Sequence, residues 1–150
     1  MLADTGHLDV AYELLLQDTE PSWLVMVDRG STTVWETWEG VDADGVPHDS
    51  LNHYSKGAVV SFLHRYTAGI SPVEPAYRRF RVALRPGGGL TRAEAAHDSP
   101  YGRIESAWRI EDGALHLRVV VPAGTRAEVV LPSGTTYTAG PGTHTFEETA

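Results

Sequence analysis

The sequence predicts a mixed fold, with helices first and an antiparallel β-sandwich after them. The spacing of apolar residues changes near residue 70 from the three-to-four interval of a helix to the two-residue alternation of half-buried strands. Turn-forming residues punctuate the second part at short intervals, whereas in the first part they gather in one long stretch, Gly40 to Asn52. A hydrophobic content of 41% with four Trp in 150 residues is enough for a packed core.

The elements follow in order. Leu8, Tyr12 and Leu15 lie on one helical face, and Val59, Phe62, Leu63 and Tyr66 on another. The second helix is expected to be capped by Asn52 and stopped by Gly69. Pro21-Ser22-Trp23, Gly30 to Val34 and Gly40 to Asn52 read as irregular chain, and a long loop in a compact domain is usually functional. After Pro72 and Pro75 the period is two: Phe80, Val82 and Leu84, then Ile104, Trp108 and Ile110, then Leu115, Leu117, Val119 and Val121 alternate with more polar neighbours. Glu111-Asp112-Gly113 is a hairpin turn, and Pro132-Ser133-Gly134 and Pro141-Gly142 are further turns. The expected domains are residues 1–71 and 72–150. Two amphipathic helices leave an apolar stripe that little else in residues 1–70 can cover, so further helices are expected to precede residue 1.

Charge and composition exclude several classes of function. A formal net charge of −8 disfavours nucleic acid and anionic membrane surfaces as partners. No apolar run approaches the roughly 18–20 residues that span a bilayer, and the first residues lack a basic region followed by an apolar one, so a cytoplasmic location is expected. The absence of cysteine excludes disulfides, thiolate chemistry and Cys-based zinc sites. Pro86-Gly87-Gly88-Gly89 lacks the Gly-Lys-Ser/Thr ending of a phosphate loop and reads as a turn, as does Ser99-Pro100-Tyr101-Gly102. No Ser sits in a Gly-x-Ser-x-Gly elbow.

Trp35-Glu36-Thr37-Trp38-Glu39-Gly40 is the most informative stretch. Indole faces cover the apolar face of a pyranose, and carboxylates bond its hydroxyls or act as acid and base. The same residues are also compatible with two packing Trp and two solvated Glu. His48 and His53 flank a second cluster, but their spacing matches no standard zinc pattern and no third ligand is evident, so neither metal nor cofactor is expected. His53 can present a ring N–H to a sugar hydroxyl, or be a half-buried His satisfied by a backbone carbonyl.

Four motifs, taken together, resemble a known family. Gly30 to Trp38 (Gly-Ser-Thr-Thr-Val-Trp-Glu-Thr-Trp), Leu51 to Val59 (Leu-Asn-His-Tyr-Ser-Lys-Gly-Ala-Val), Arg85-Pro86-Gly87-Gly88-Gly89-Leu90 and Ser99-Pro100-Tyr101-Gly102 stand in the order found in the bacterial α-L-rhamnosidases of glycoside hydrolase family 78. Gly6-His7, Ala11-Tyr12 and Pro21-Ser22-Trp23 look like the lead-in to the first motif, and the resemblance runs from about residue 6 to about residue 132. It implies the C-terminal helices of an (α/α)6 barrel followed by an antiparallel β-sandwich. It further implies inverting removal of terminal α-L-rhamnose from a glycoside or polysaccharide, a reaction in which one carboxyl group protonates the leaving oxygen and another activates water. By this resemblance Glu36 is the general base, His53 contacts the sugar and Trp38 contributes to the sugar-facing wall. The family's general acid lies in an upstream segment that nothing in residues 1–35 resembles, so the missing upstream barrel is an expected partner and the chain alone is expected to be inactive. Ser31 replaces an Ala common in the motif. The competing reading is a stand-alone carbohydrate-binding or structural β-sandwich module, which leaves the motifs of the helical half without a role.

Overall fold

The computed structural model describes residues 2–42 and 44–149. They fall into two compact units, Met1–Val60 and Ser61–Ala150. In the first unit a 3-10 turn (Leu2–Thr5) leads into α1 (Leu8–Leu16). Because apolar residues occur nearly all round α1, it buries Ala11 and Tyr12 while Val10 and Leu14 remain exposed. A second helix, α2 (Trp23–Asp28), begins at the Trp23 that the sequence reading placed in irregular chain and continues through residues to which it assigned no element. Ser22 starts it by accepting the Val25 N–H on its hydroxyl at 3.1 Å. The Gly30 and Ser31 N–H groups close its end on the Val27 and Met26 carbonyls at 2.8 and 3.0 Å. Six residues make fewer than two turns, and Trp-Leu-Val-Met-Val is a continuous apolar run without a helical period, so only the cap could have marked this helix.

Residues 31–53 contain no helix or strand among those described, only a bridge between Val41 and Pro47. The next helix, α3 (Tyr54–Gly57), begins after His53, which corrects the expected cap at Asn52. The His53 N–H is bonded to the Val34 carbonyl at 2.8 Å, which keeps His53 extended and prevents an earlier helical start. The single helix expected onward to Tyr66 is broken into α4 (Val59–Phe62) and a π-turn (Leu63–Thr67), which Ala68 closes on the Leu63 carbonyl.

The second unit is a two-sheet sandwich. One sheet has the order β1 (Ile70–Pro72), β2 (Arg79–Val82), β6 (Arg126–Val130), β7 (Thr136–Ala139). The other has β3 (Arg92–Ser99), β4 (Gly102–Glu111), β5 (Ala114–Val121), β8 (Gly142–Thr149). All pairs are antiparallel except β2 with β6, which run parallel, with β3, β4 and β5 of the opposite sheet between them along the chain. Most of the alternating residues read from the sequence lie in the core: Phe80, Val82, Ile104, Trp108, Leu115, Leu117 and Val119 are all 3% exposed or less. Burying each such aliphatic or aromatic side chain is worth about 1.5–3 kcal/mol. Two buried polar groups are satisfied from the chain entering the sandwich: Trp108 Nε1 donates to the Thr67 carbonyl and Ser106 Oγ to the Ala68 carbonyl, both at 2.7 Å. Gly69 follows at φ +84°, where a Cβ would stand 2.6 Å from the Leu84 nitrogen, so only glycine fits there.

Candidate functional site

The site of interest lies wholly in the first unit, where residues 33–38 meet residues 50–56. Two backbone bonds join these segments, Glu36 N–H to the Ser50 carbonyl and His53 N–H to the Val34 carbonyl, both 2.8 Å. The Thr33 hydroxyl adds a third by donating to the Leu51 carbonyl. Asp49, at φ +56°, turns the chain just before Ser50. The Ser50 N–H then points at Glu36 and donates to its Oε2 at 3.2 Å.

The Glu36 carboxylate is 43% exposed, with its other oxygen facing His53 Nε2 at 3.7 Å. His53 Nδ1 lies 2.9 Å from Ser55 Oγ. When the Ser55 hydroxyl donates to Nδ1, the ring proton sits on Nε2 and faces the carboxylate. The imidazole also stacks on Tyr54, whose ring is 86% exposed. The result is a partly open carboxylate held by one backbone donor and faced by one imidazole, an arrangement able to accept a proton from water.

Glu36, His53 and Trp38 are thus in one region of the structure. Trp38 is half-buried, with Trp23 edge-on at a centroid distance of 5.6 Å. Trp35 is different: it is 5% exposed and packs so closely on Gly40 that a Cβ there would lie 1.8 Å from its ring. Trp35 is therefore a packing residue that fixes the loop rather than a sugar-facing one. Glu39 lies on another side of the loop, where its carbonyl accepts from Arg29 at 3.2 Å. His48 is 3.5 Å from Asp42. The Asp42 carboxyl is held below its ordinary value, mainly by the Val46 N–H and further by the Asp44 N–H and His48.

Lys56 was missed by the sequence reading. Its Nζ donates to the Glu36 carbonyl and lies 4.1 Å from the centre of the Trp38 ring, while its own carbonyl accepts from Trp23 Nε1 at 3.1 Å. One side chain therefore ties the Glu36 backbone, the Trp38 ring and α3 together. A lysine in the first turn of a short helix carries no signature of such a role, and only the proximity of the two loops reveals it.

Comparison with known proteins gives the arrangement its context. Residues 1–67 match the model of the bacterial alpha-L-rhamnosidase 6 hairpin glycosidase domain, and residues 69–146 that of the bacterial alpha-L-rhamnosidase C-terminal domain. An alpha-L-rhamnosidase of Streptomyces avermitilis is 42% identical over 137 residues, covering 89% of this chain and 13% of the relative. One of Formosa agariphila is 38% identical over 137 residues, covering 89% and 15%. Among solved structures, the native alfa-L-rhamnosidase of Aspergillus terreus superposes with a TM-score of 0.90 at 38% identity, covering 97% of this chain and 18% of that one. The Streptomyces avermitilis alpha-L-rhamnosidase complexed with L-rhamnose gives 0.89 at 36% identity, covering 98% and 16%. The chain thus spans about one seventh of the length of the curated relatives it matches. With both parts matched in order along one sequence, the chain belongs to the bacterial α-L-rhamnosidase family.

Proposed function

We propose that this chain supplies the general-base side of an inverting α-L-rhamnosidase active site, acting on terminal α-L-rhamnose of a glycoside or polysaccharide. In this reading Glu36 activates the attacking water, His53 contacts the sugar and Trp38 forms part of the wall beside it. The observation that carries the reading is the Glu36 carboxylate, anchored through one oxygen by the Ser50 N–H yet 43% exposed and facing His53 through the other. A base must be held by its neighbours and still reach water, and both conditions are met. Family membership and the L-rhamnose named with the Streptomyces avermitilis structure support the choice of sugar.

The general acid is assigned to barrel sequence outside these residues, so the chain alone should not hydrolyse an aryl α-L-rhamnoside. Hydrolysis should appear when the upstream barrel is joined or co-expressed. Proton NMR at early times should then show the product sugar with the anomeric configuration opposite to that of the substrate. Turnover by the isolated chain, or a product of retained configuration, would contradict the reading.

A further inference from the structure

Charge is distributed unevenly between the units. Residues 1–60 hold eleven acidic and two basic side chains, and residues 61–150 hold nine acidic and ten basic ones. Four of the second unit's ten arginines, Arg92, Arg103, Arg109 and Arg118, lie among carboxylates on the outer face of the β3–β4–β5–β8 sheet. Since Ile104, Trp108, Leu115 and Leu117 point into the core, their alternating neighbours point outward. In register these form one row, Arg92–Arg109–His116–Glu147, and beside it a second, Glu94–Ala107–Arg118–Thr145. Residues of both rows line an open concavity of about 900 Å³.

The first row is costly as it stands, because like charges directly opposite on a ladder destabilise it. Arg109 and His116 are compensated, by Glu111 at 2.8 Å and Glu147 at 3.4 Å. Arg118 is compensated by two 2.8 Å bonds to Glu105. The Arg92 guanidinium, opposite Arg109, has no ion pair among the described residues.

We propose that this concave face binds a carboxylate-bearing glycan, a saccharide chain containing uronic acid residues, with Arg92 as its principal carboxylate receptor and Arg109 beside it. A guanidinium matches a carboxylate through two parallel hydrogen bonds. The row from Arg92 to His116 spans two strand steps, roughly 10 Å, room for successive sugars. The acceptors Glu94, Glu147 and Thr145 in the same concavity suit sugar hydroxyls and oppose a uniformly charged polyphosphate. The core-facing placement of Trp108 leaves no indole platform on this face for a neutral glycan. The proposal does not depend on the role of Glu36.

The test is calorimetric titration of the full chain with polygalacturonate oligomers at low salt, beside their fully methyl-esterified form, a sulfated dextran and a DNA duplex. Polygalacturonate should bind, weaken as salt rises and weaken about tenfold in Arg92→Ala, with a larger loss in Arg92→Glu. The exposed position of Arg92 means that both variants should keep the wild-type circular dichroism and melting temperature, and Glu36→Gln should bind as wild type. The proposal is overturned by absence of binding, by equal binding of the esterified form, by tighter binding of the dextran or the DNA, or by unchanged affinity in both folded Arg92 variants.

Discussion

The chemistry proposed for the first unit rests on few residues, and they differ in how far the sequence announces them. Glu36, His53 and Trp38 lie in motifs that can be quoted from the chain, and the structure brings them together. Ser50 and Lys56 are invisible without it, because their roles come from a backbone N–H and from a carbonyl contact made across a loop. Trp35 shows the opposite error, an aromatic whose type fits sugar binding but which Gly40 draws into the core. Lys56 yields a direct prediction. Lys56→Met keeps the aliphatic stem and removes the ammonium, and should destabilise the loop by about 1 kcal/mol through loss of a charged hydrogen bond and a cation–π contact. Tryptophan fluorescence should report a more solvated Trp38 in this variant and near-wild-type emission in Lys56→Arg. Unchanged emission and stability in Lys56→Met would show that the lysine does not hold the loop.

Among the elements, strands β2, β4 and β5 were read from the sequence, β1, β6, β7 and β8 were not, and the helices were read only in part. Period-two alternation is a property of adjacent residues, so even the four-residue β2 declares itself, as do the longer β4 and β5. Their turn does too: Asp112 and Gly113 take φ values of 51° and 76°, the conformation that Asp-Gly favours. Helix α2 is too short to show a period, and the segment from α3 through the π-turn changes its hydrogen-bond pattern at positions that no residue type marks. The parallel pairing of β2 and β6 depends on contacts distant in sequence and was equally hidden. The loop of residues 41–48 should be acid-labile. A carboxyl held below its ordinary value contributes stability that is present above the unfolded pKa and lost as pH falls through the folded one. The Asp42 contribution should therefore be intact near neutrality and vanish only below about pH 4. The Val46 amide shift, followed by NMR on lowering the pH, should move there in wild type and not in Asp42→Asn. A shift that persists unchanged in Asp42→Asn would contradict this assignment.

Taken as a whole, the molecule is two units with unequal cores. The sandwich closes fourteen buried apolar residues into one cluster, whereas in the first unit the buried apolar residues are Ala3, Ala11, Tyr12, Met26 and Trp35. Large apolar side chains left exposed concentrate toward the helical end, with Val10, Leu14, Val27, Tyr54 and Val60 each at least 45% exposed. These are not the faces read from the sequence, since Tyr12 is buried, but the small core of the first unit accounts for a predicted difference in stability. Amides of α1 should exchange with solvent at least tenfold faster than those of Val119 and Val121, since opening a unit with so small a core requires little free energy. Equal protection in the two units would show that the helical part is stable by itself.

The central claim concerns Glu36, and its most direct test is the kinetics of Glu36→Gln in the protein with the upstream barrel restored. Glutamine keeps the size of the side chain, can still accept from the Ser50 N–H and removes only the proton acceptor. If Glu36 is the general base, kcat for an aryl α-L-rhamnoside should fall roughly 10²- to 10⁴-fold with little change in substrate affinity, while Glu39→Gln remains close to wild type. A Glu36→Gln enzyme that keeps a tenth of the wild-type kcat, or that is no more impaired than Glu39→Gln, would contradict the assignment and leave Glu36 a component of the sugar-binding wall.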